Sequence, residues 1–196
     1  MVHQRNSRGR TVTQKKEERI VIIGFRNVQL KDINGFLEQF KEANIGAVVQ
    51  FFDARHVAGS QHLYFAALHA LNAFDKNLAI SNNLAFEALL YASAQRQIKK
   101  ALLMLGIKEG TSELAALIIT KKGHEKLGCL RQVTEMVPGE RDDTVLELTD
   151  KKVKKIKKLL SISGLEVEAK LKKDGMEKEA IMDLVIERMA LLVTKS

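Results

Sequence analysis

Residues 61–74, QHLYFAALHALNAF, make about four turns of helix without one charged side chain. At roughly 100° per residue, Leu63, Phe65, Leu68, Leu71 and Phe74 spread around most of the circumference. His62, Ala66, His69 and Ala73 gather on one narrow face, where small residues permit close approach of a neighbouring backbone. A helix that is apolar nearly all round cannot sit on a solvated surface. It is either the centre of its own fold or covered by a partner, and the pattern alone leaves both readings open.

The segments around this helix supply a fold for it to centre. Arg19–Phe25 is a β-branched run of strand length, Ala47–Phe52 is a second, and Ala115–Thr120 is a third. Thr144–Leu148 alternates apolar and polar residues and reads as a fourth strand. Ile33, Phe36, Leu37 and Phe40 recur at helical spacing between Asp32 and Asn44, and Asn44–Gly46 stops that helix. Helices are expected over 60–76, 83–92 and 94–105, a short one over 123–133, and several more from Asp150 to Val193 with breaks at 163–164 and 174–175. Strands and helices in this uneven order predict an α+β domain over 18–196: a small mixed or antiparallel sheet of about four strands packed with several helices. Residues 1–17 are polar, basic and without periodicity, which predicts a flexible tail.

Charge is unevenly placed. The net charge is +8, yet residues 1–19 carry +4 and residues 151–160 carry +6, so the rest of the chain is slightly acidic. Two basic blocks on a nearly neutral body suit contact with a polyanion, nucleic acid above all, although a lysine-rich face also serves plain solubility. In Lys151–Leu160, Val153, Ile156, Leu159 and Leu160 form a stripe ringed by lysines. That pattern predicts a docked helix whose cations, Lys151, Lys152 and Lys155 among them, face outward. The stripe is narrow and holds no aromatic residue, so a membrane surface is a poorer match than RNA. From Gln95 to Gly106, Ile98, Ala101, Leu102 and Leu105 share one face while Arg96, Lys99 and Lys100 point away from it, as phosphate-binding arms would.

Signatures of catalysis are missing. The sequence has no phosphate-cradling Gly-x-x-x-x-Gly-Lys-Ser/Thr loop, no dinucleotide fingerprint, no nucleophile elbow and no CxxC pair. His62 and His69 lie two turns apart, beyond the i, i+4 spacing by which a helix places two ligands on one ion, so no metal or other cofactor is expected. The single Cys129 reads as a small buried apolar residue of a reducing cytoplasm. No apolar run reaches the roughly 18 residues of a membrane span.

The stretch from Phe52 to Ile107 carries a more specific signal. It runs from a Gly59-Ser-Gln-His-Leu63 helix start through the alanine-rich helix to Glu87-Ala-Leu-Leu-Tyr91, then Arg96-Gln97-Ile98 and a Gly106-Ile107 stop. This order of parts resembles the small kinase-binding subunit of the KEOPS complex, the PRPK-binding protein family, and Glu187–Leu192 is similar to the C-terminus of its archaeal members. The resemblance covers most of the chain after Glu18, though not the basic tail. It implies a non-catalytic cytoplasmic subunit that binds the kinase of the complex directly and its other subunits through it. It also implies help in recruiting tRNA, in archaeal members by the 3′ CCA end, for threonylcarbamoyladenosine modification beside the anticodon.

On that resemblance, His62, Ala66, His69 and Ala73 are expected at the kinase interface, and Arg96, Lys99, Lys100, Lys151, Lys152 and Lys155 at tRNA. A free-standing nucleic-acid-binding module is the main rival, because the basic blocks serve it equally well. A small enzyme using His62, His69 or Glu87 is the second.

Overall fold

A computed structural model describes residues 16–171, 173 and 175–194. The basic tail expected over residues 1–17 lies outside them except for Lys16 and Glu17. Three strands form the body of a sheet: β1 (Ile20–Arg26), β2 (Ala47–Asp53) and β3 (Leu114–Thr120). A two-residue strand, β4 (Glu140–Arg141), completes the order β2-β3-β1-β4, and every pairing is antiparallel. The central β3, LAALIIT, is buried along its whole length because helices cover both faces of the sheet.

Period-2 alternation sorts the strand residues between two cores. Ile20, Phe52, Ala115, Leu117 and Ile119 face one side, and Ile23, Phe25, Phe51, Leu114, Ala116 and Ile118 the other. A strand buried on both sides reads as a continuous apolar run, which is why β1 and β3 are so plain in the sequence.

On the smaller side lie α1 (Ile33–Glu42) and the helix from Lys126 to Met136. Asp32 caps α1 by accepting from the Gly35 amide. Phe36 and Phe40 then pack on Phe51 of β2, with ring centroids 5.0 and 4.7 Å away. Cys129 is buried here, its thiol 3.1 Å from the Ile45 carbonyl.

The larger side is built around α2 (Ser60–Asp75), the uncharged run. It packs on β1, on α3 (Leu84–Ser93) and on the C-terminal helix Glu177–Ala190. Next along the chain is α4 (Ile98–Leu105), and with Lys126–Met136 as α5, the C-terminal half supplies α6 (Asp150–Leu159), α7 (Gly164–Lys170) and α8 (Glu177–Ala190). A Ser163–Glu166 capping box starts α7.

One expected strand is replaced. Thr144–Leu148 does not join the sheet; Asp143–Leu146 is a single turn of 3-10 helix, and the fourth strand lies earlier, at Glu140–Arg141. Two aspartates explain the change. Asp142 accepts from the Thr144 amide and curls the chain, while Asp143 accepts from the Gly24 amide of β1 at 2.8 Å. The turn crosses so close to β1 that a Cβ at Gly24 would sit 2.6 Å from the Asp142 carbonyl oxygen.

Candidate functional site

The face of α2 expected to meet a partner turns mostly inward. His62, Ala66 and Ala73 are buried by the chain's own residues, and of the four only His69 is partly open to solvent. The helix is the centre of its own fold, one of the two options its composition left open. His62 accepts from the Ala58 amide through Nδ1 at 3.1 Å, so its Nε2–H donates to the Ala92 carbonyl at 2.7 Å. Burial pushes the imidazole down to about 4 and keeps it neutral. His69 stacks on Tyr91 with centroids 5.2 Å apart, and burial lowers its pKa as well. Among the described residues, no group of three His, Cys, Asp or Glu side chains is placed to hold a metal.

Glu87 is also internal. Its carboxylate accepts from the Ile80 amide at 3.1 Å and the Ser81 amide at 2.7 Å, closing the loop between α2 and α3. With no exposed surface, it has no route to a substrate. Asn83 caps the start of α3, and Ala94 takes a left-handed conformation at its end, φ 51°. The motif Glu87–Tyr91 therefore builds the α2–α3 hairpin rather than a reactive site.

Arg96, Lys99 and Lys100 are exposed together at the start of α4. Arg96 precedes the helix instead of lying within it, and its guanidinium reaches the Leu192 carbonyl at 3.5 Å. The first turn of α4 holds no acid, and no side chain caps it. Two lysines at the positive end of a helix dipole repel it, and an anion there would satisfy both. The apolar stripe expected to be buried is only partly so. Ala101 and Leu105 are buried, but Leu102 is 40% exposed, and Leu103, outside the expected stripe, is 62% exposed. Lys99 shares its face with Leu102 and Leu103 at i+3 and i+4. The surface thus combines aliphatic area with cations.

The lysine helix is placed differently from expectation at one position. Lys151 is exposed and Lys155 half-buried, but Lys152 is only 6% exposed. It falls beside Val153 and one turn from Ile156 on the packed side of α6, and its ammonium donates to the Val145 carbonyl. Burial pushes Lys152 down to about 8. These three lysines border a cleft of about 440 Å3 that also receives Arg26 and Arg55. Arg55 is held in a two-pronged pair by Asp53, at 2.8 and 2.6 Å. No spacing in the sequence joins Arg26, Arg55 and Lys152; only the folding of β1, β2 and α6 does so. Arg96, Lys99 and Lys100 do not line this cleft, so the six expected RNA contacts divide between two places.

Residues 25–192 match the family described as kinase binding protein CGI-121. The chain is 30% identical over 152 residues to the regulatory protein Cgi121 of Methanocaldococcus jannaschii, spanning 78% of this chain and 88% of that protein.

Proposed function

This chain belongs to the kinase binding protein CGI-121 family, and we propose from that membership that it is the non-catalytic KEOPS subunit that binds the kinase and helps bring tRNA to the complex. Kinase binding follows from the family. The surface of α4 carries the RNA reading. Unpaired nucleotides need cations for their phosphates and apolar area for their bases. Arg96, Lys99 and Lys100 offer the first, and exposed Leu102 and Leu103 the second, at a helix start without a cap. With no Trp and two Tyr in the chain, aliphatic packing and arginine take the part that aromatic rings play elsewhere. Lys151 and Lys155 on α6 add a second cationic contact.

At the kinase interface, His69 supplies contact, and His62, Ala66 and Ala73 hold α2 in position behind it. The reading places the protein in the cytoplasm and assigns it neither cofactor nor membrane partner. Among the described residues, no helix is long and apolar enough to cross a membrane.

Binding measured across a salt series, against intact tRNA and tRNA lacking its CCA end, tests the RNA role. A triple change of Arg96, Lys99 and Lys100 to Gln should shrink the difference between the two RNAs and lower the salt slope by about one unit per lost phosphate contact. An unchanged slope and an unchanged preference would move the RNA contact off α4. Affinity for the KEOPS kinase, measured on the same folded variant, should stay at the parent level.

A further inference from the structure

We infer that the cleft between the start of α6, the Ala54–His56 turn and the Asp142–Val145 turn is a binding site for a phosphate group, separate from the surface on α4. Its basic walls come from distant parts of the chain: Arg26 ends β1, Arg55 follows β2, and Lys151, Lys152 and Lys155 belong to α6. Asp142, Glu113 and Glu147 line it as well, and Glu140 and Asp53 pair with its arginines, so the charge is carried by the lysines rather than by any net excess over the cleft as a whole.

Two of the cations are already engaged. Arg26 pairs with Glu140 at 3.0 Å and Asp142 at 3.4 Å, and Arg55 with Asp53. The three lysines form no ion pair with a carboxylate among the described residues. Lys152 is the informative one. An ammonium has three N–H bonds, and among the described residues only one of them is met, by the Val145 carbonyl. Glu113, Asp53 and Glu147 favour its charged form without pairing with it directly, and burial still outweighs them, a cost that a well-packed apolar residue at this position would avoid. The depressed pKa of Lys152 registers that cost, and an anion seated in the cleft would relieve it. Lys155 and Lys151 stand at the open side, one helical turn apart, able to close on the outer oxygens of the same group.

The volume, about 440 Å3, accommodates one phosphate with an attached sugar or base and is too small for a folded segment of another protein. The chemistry is shared by an RNA backbone phosphate and by a free phosphate or nucleotide. The inference narrows the reading of α6 as a second RNA contact to one built site, but it does not require the ligand to be RNA.

The full chain, labelled with nitrogen-15, is titrated with sodium pyrophosphate, with ADP and with a short single-stranded RNA, each at constant ionic strength beside a chloride control. Saturable shifts of the Thr144, Val145, Thr149 and Lys152 amides are expected. Lys152→Met and Lys155→Gln, measured separately, should each weaken the response at least tenfold. Lys155→Gln changes a half-exposed side chain, so it keeps the test valid if Lys152→Met fails to fold. Stronger binding of pyrophosphate or ADP assigns a free phosphate ligand, and stronger binding of RNA assigns its backbone.

The inference is overturned if the shifts do not exceed the chloride control, if they spread evenly along the outer lysines Lys154 and Lys158, or if both variants respond like the parent. The triple change on α4 should leave the cleft response intact, so failure of one site and failure of the other are read separately.

Discussion

His62 and Ala92 tie the first turn of α2 to the last turn of α3, through an Nε2–H to carbonyl hydrogen bond of 2.7 Å. Because Nδ1 is the acceptor for the Ala58 amide, protonation would break the second bond and place a charge in a site only 1% exposed. The folded pKa, about 4, lies below the ordinary value of 6.5, so the unfolded chain takes up the proton first. Stability conferred by neutral His62 is complete above pH 6.5 and is lost as pH falls towards 4. Relative to His62→Gln, the parent should lose about 2–3 kcal/mol between pH 7 and pH 4. Burial lowers His56 and His69 as well, but both remain in the variant, so the difference isolates His62. Denaturant melts of the two proteins across this range measure it, and parallel curves would show that His62 is not the acid-sensitive group.

Glu87 fixes the other end of the same hairpin. Its two oxygens satisfy the Ile80 and Ser81 amides, which lie in the loop leading to α3. Glu87→Ala leaves two inward-facing donors without an acceptor, at about 1–3 kcal/mol each. A loss of about 2–5 kcal/mol in chemical denaturation is expected. Glu87→Gln keeps one good acceptor and should lose less than Glu87→Ala. Equal losses for the two would mean that the carboxylate is not the bridge.

Ala73 separates a core role from an interface role. It is 6% exposed and belongs to the main core. Ala73→Glu forces a carboxylate into that core, where an unpaired charge costs several kcal/mol. The variant should unfold, or melt far below the parent, instead of folding normally and losing only the kinase. His69→Ala should stay folded, because the ring is half-buried, and should weaken kinase binding. Circular dichroism melts and kinase titrations on both variants decide the assignment; a stable Ala73→Glu protein with normal melting would contradict the core placement.

Elements carried by apolar runs were legible in the sequence, because a sheet covered on both faces leaves its strands nothing but apolar residues to use. The three long strands lie within a few residues of their expected bounds for that reason, and α1 to α4 do so because their apolar residues recur at helical spacing. Thr144–Leu148 misleads because its alternation is that of a strand, whereas Asp142 and Asp143 capture the local amides and bend the chain. The α2 face misleads because histidine at helical spacing has the same pattern whether it points to a partner or, like His62, bonds two internal backbone groups. Lys152 could not be placed from its neighbours. A helical wheel puts it beside Val153, but whether its long stem runs out to water or along the packed surface depends on Val145, seven residues away. The same limit hid the cleft, whose walls come from strands and a helix that only the fold brings together.

Lys152 also makes stability depend on pH, in the alkaline range and with the same sign of slope as His62. Its folded pKa, about 8, lies below the ordinary value of 10.5. Below pH 8 both states are charged, and the fold carries the full cost of a buried ammonium. Between 8 and 10.5 the folded protein has released a proton that the unfolded chain still holds, so stability rises with pH through that window. Glu113, Asp53 and Glu147 favour the charged form of Lys152 and Lys155 opposes it, but burial outweighs them. Lys152→Met removes the titration and leaves the Val145 carbonyl without this donor. Measured against that variant, the parent should gain about 2 kcal/mol from pH 7.5 to pH 10. Pyrophosphate in the cleft should flatten the gain, since an anion beside the ammonium restores its charged form. A difference that stays constant across the window would mean that Lys152 reaches water, and the cleft would then lose its buried cation.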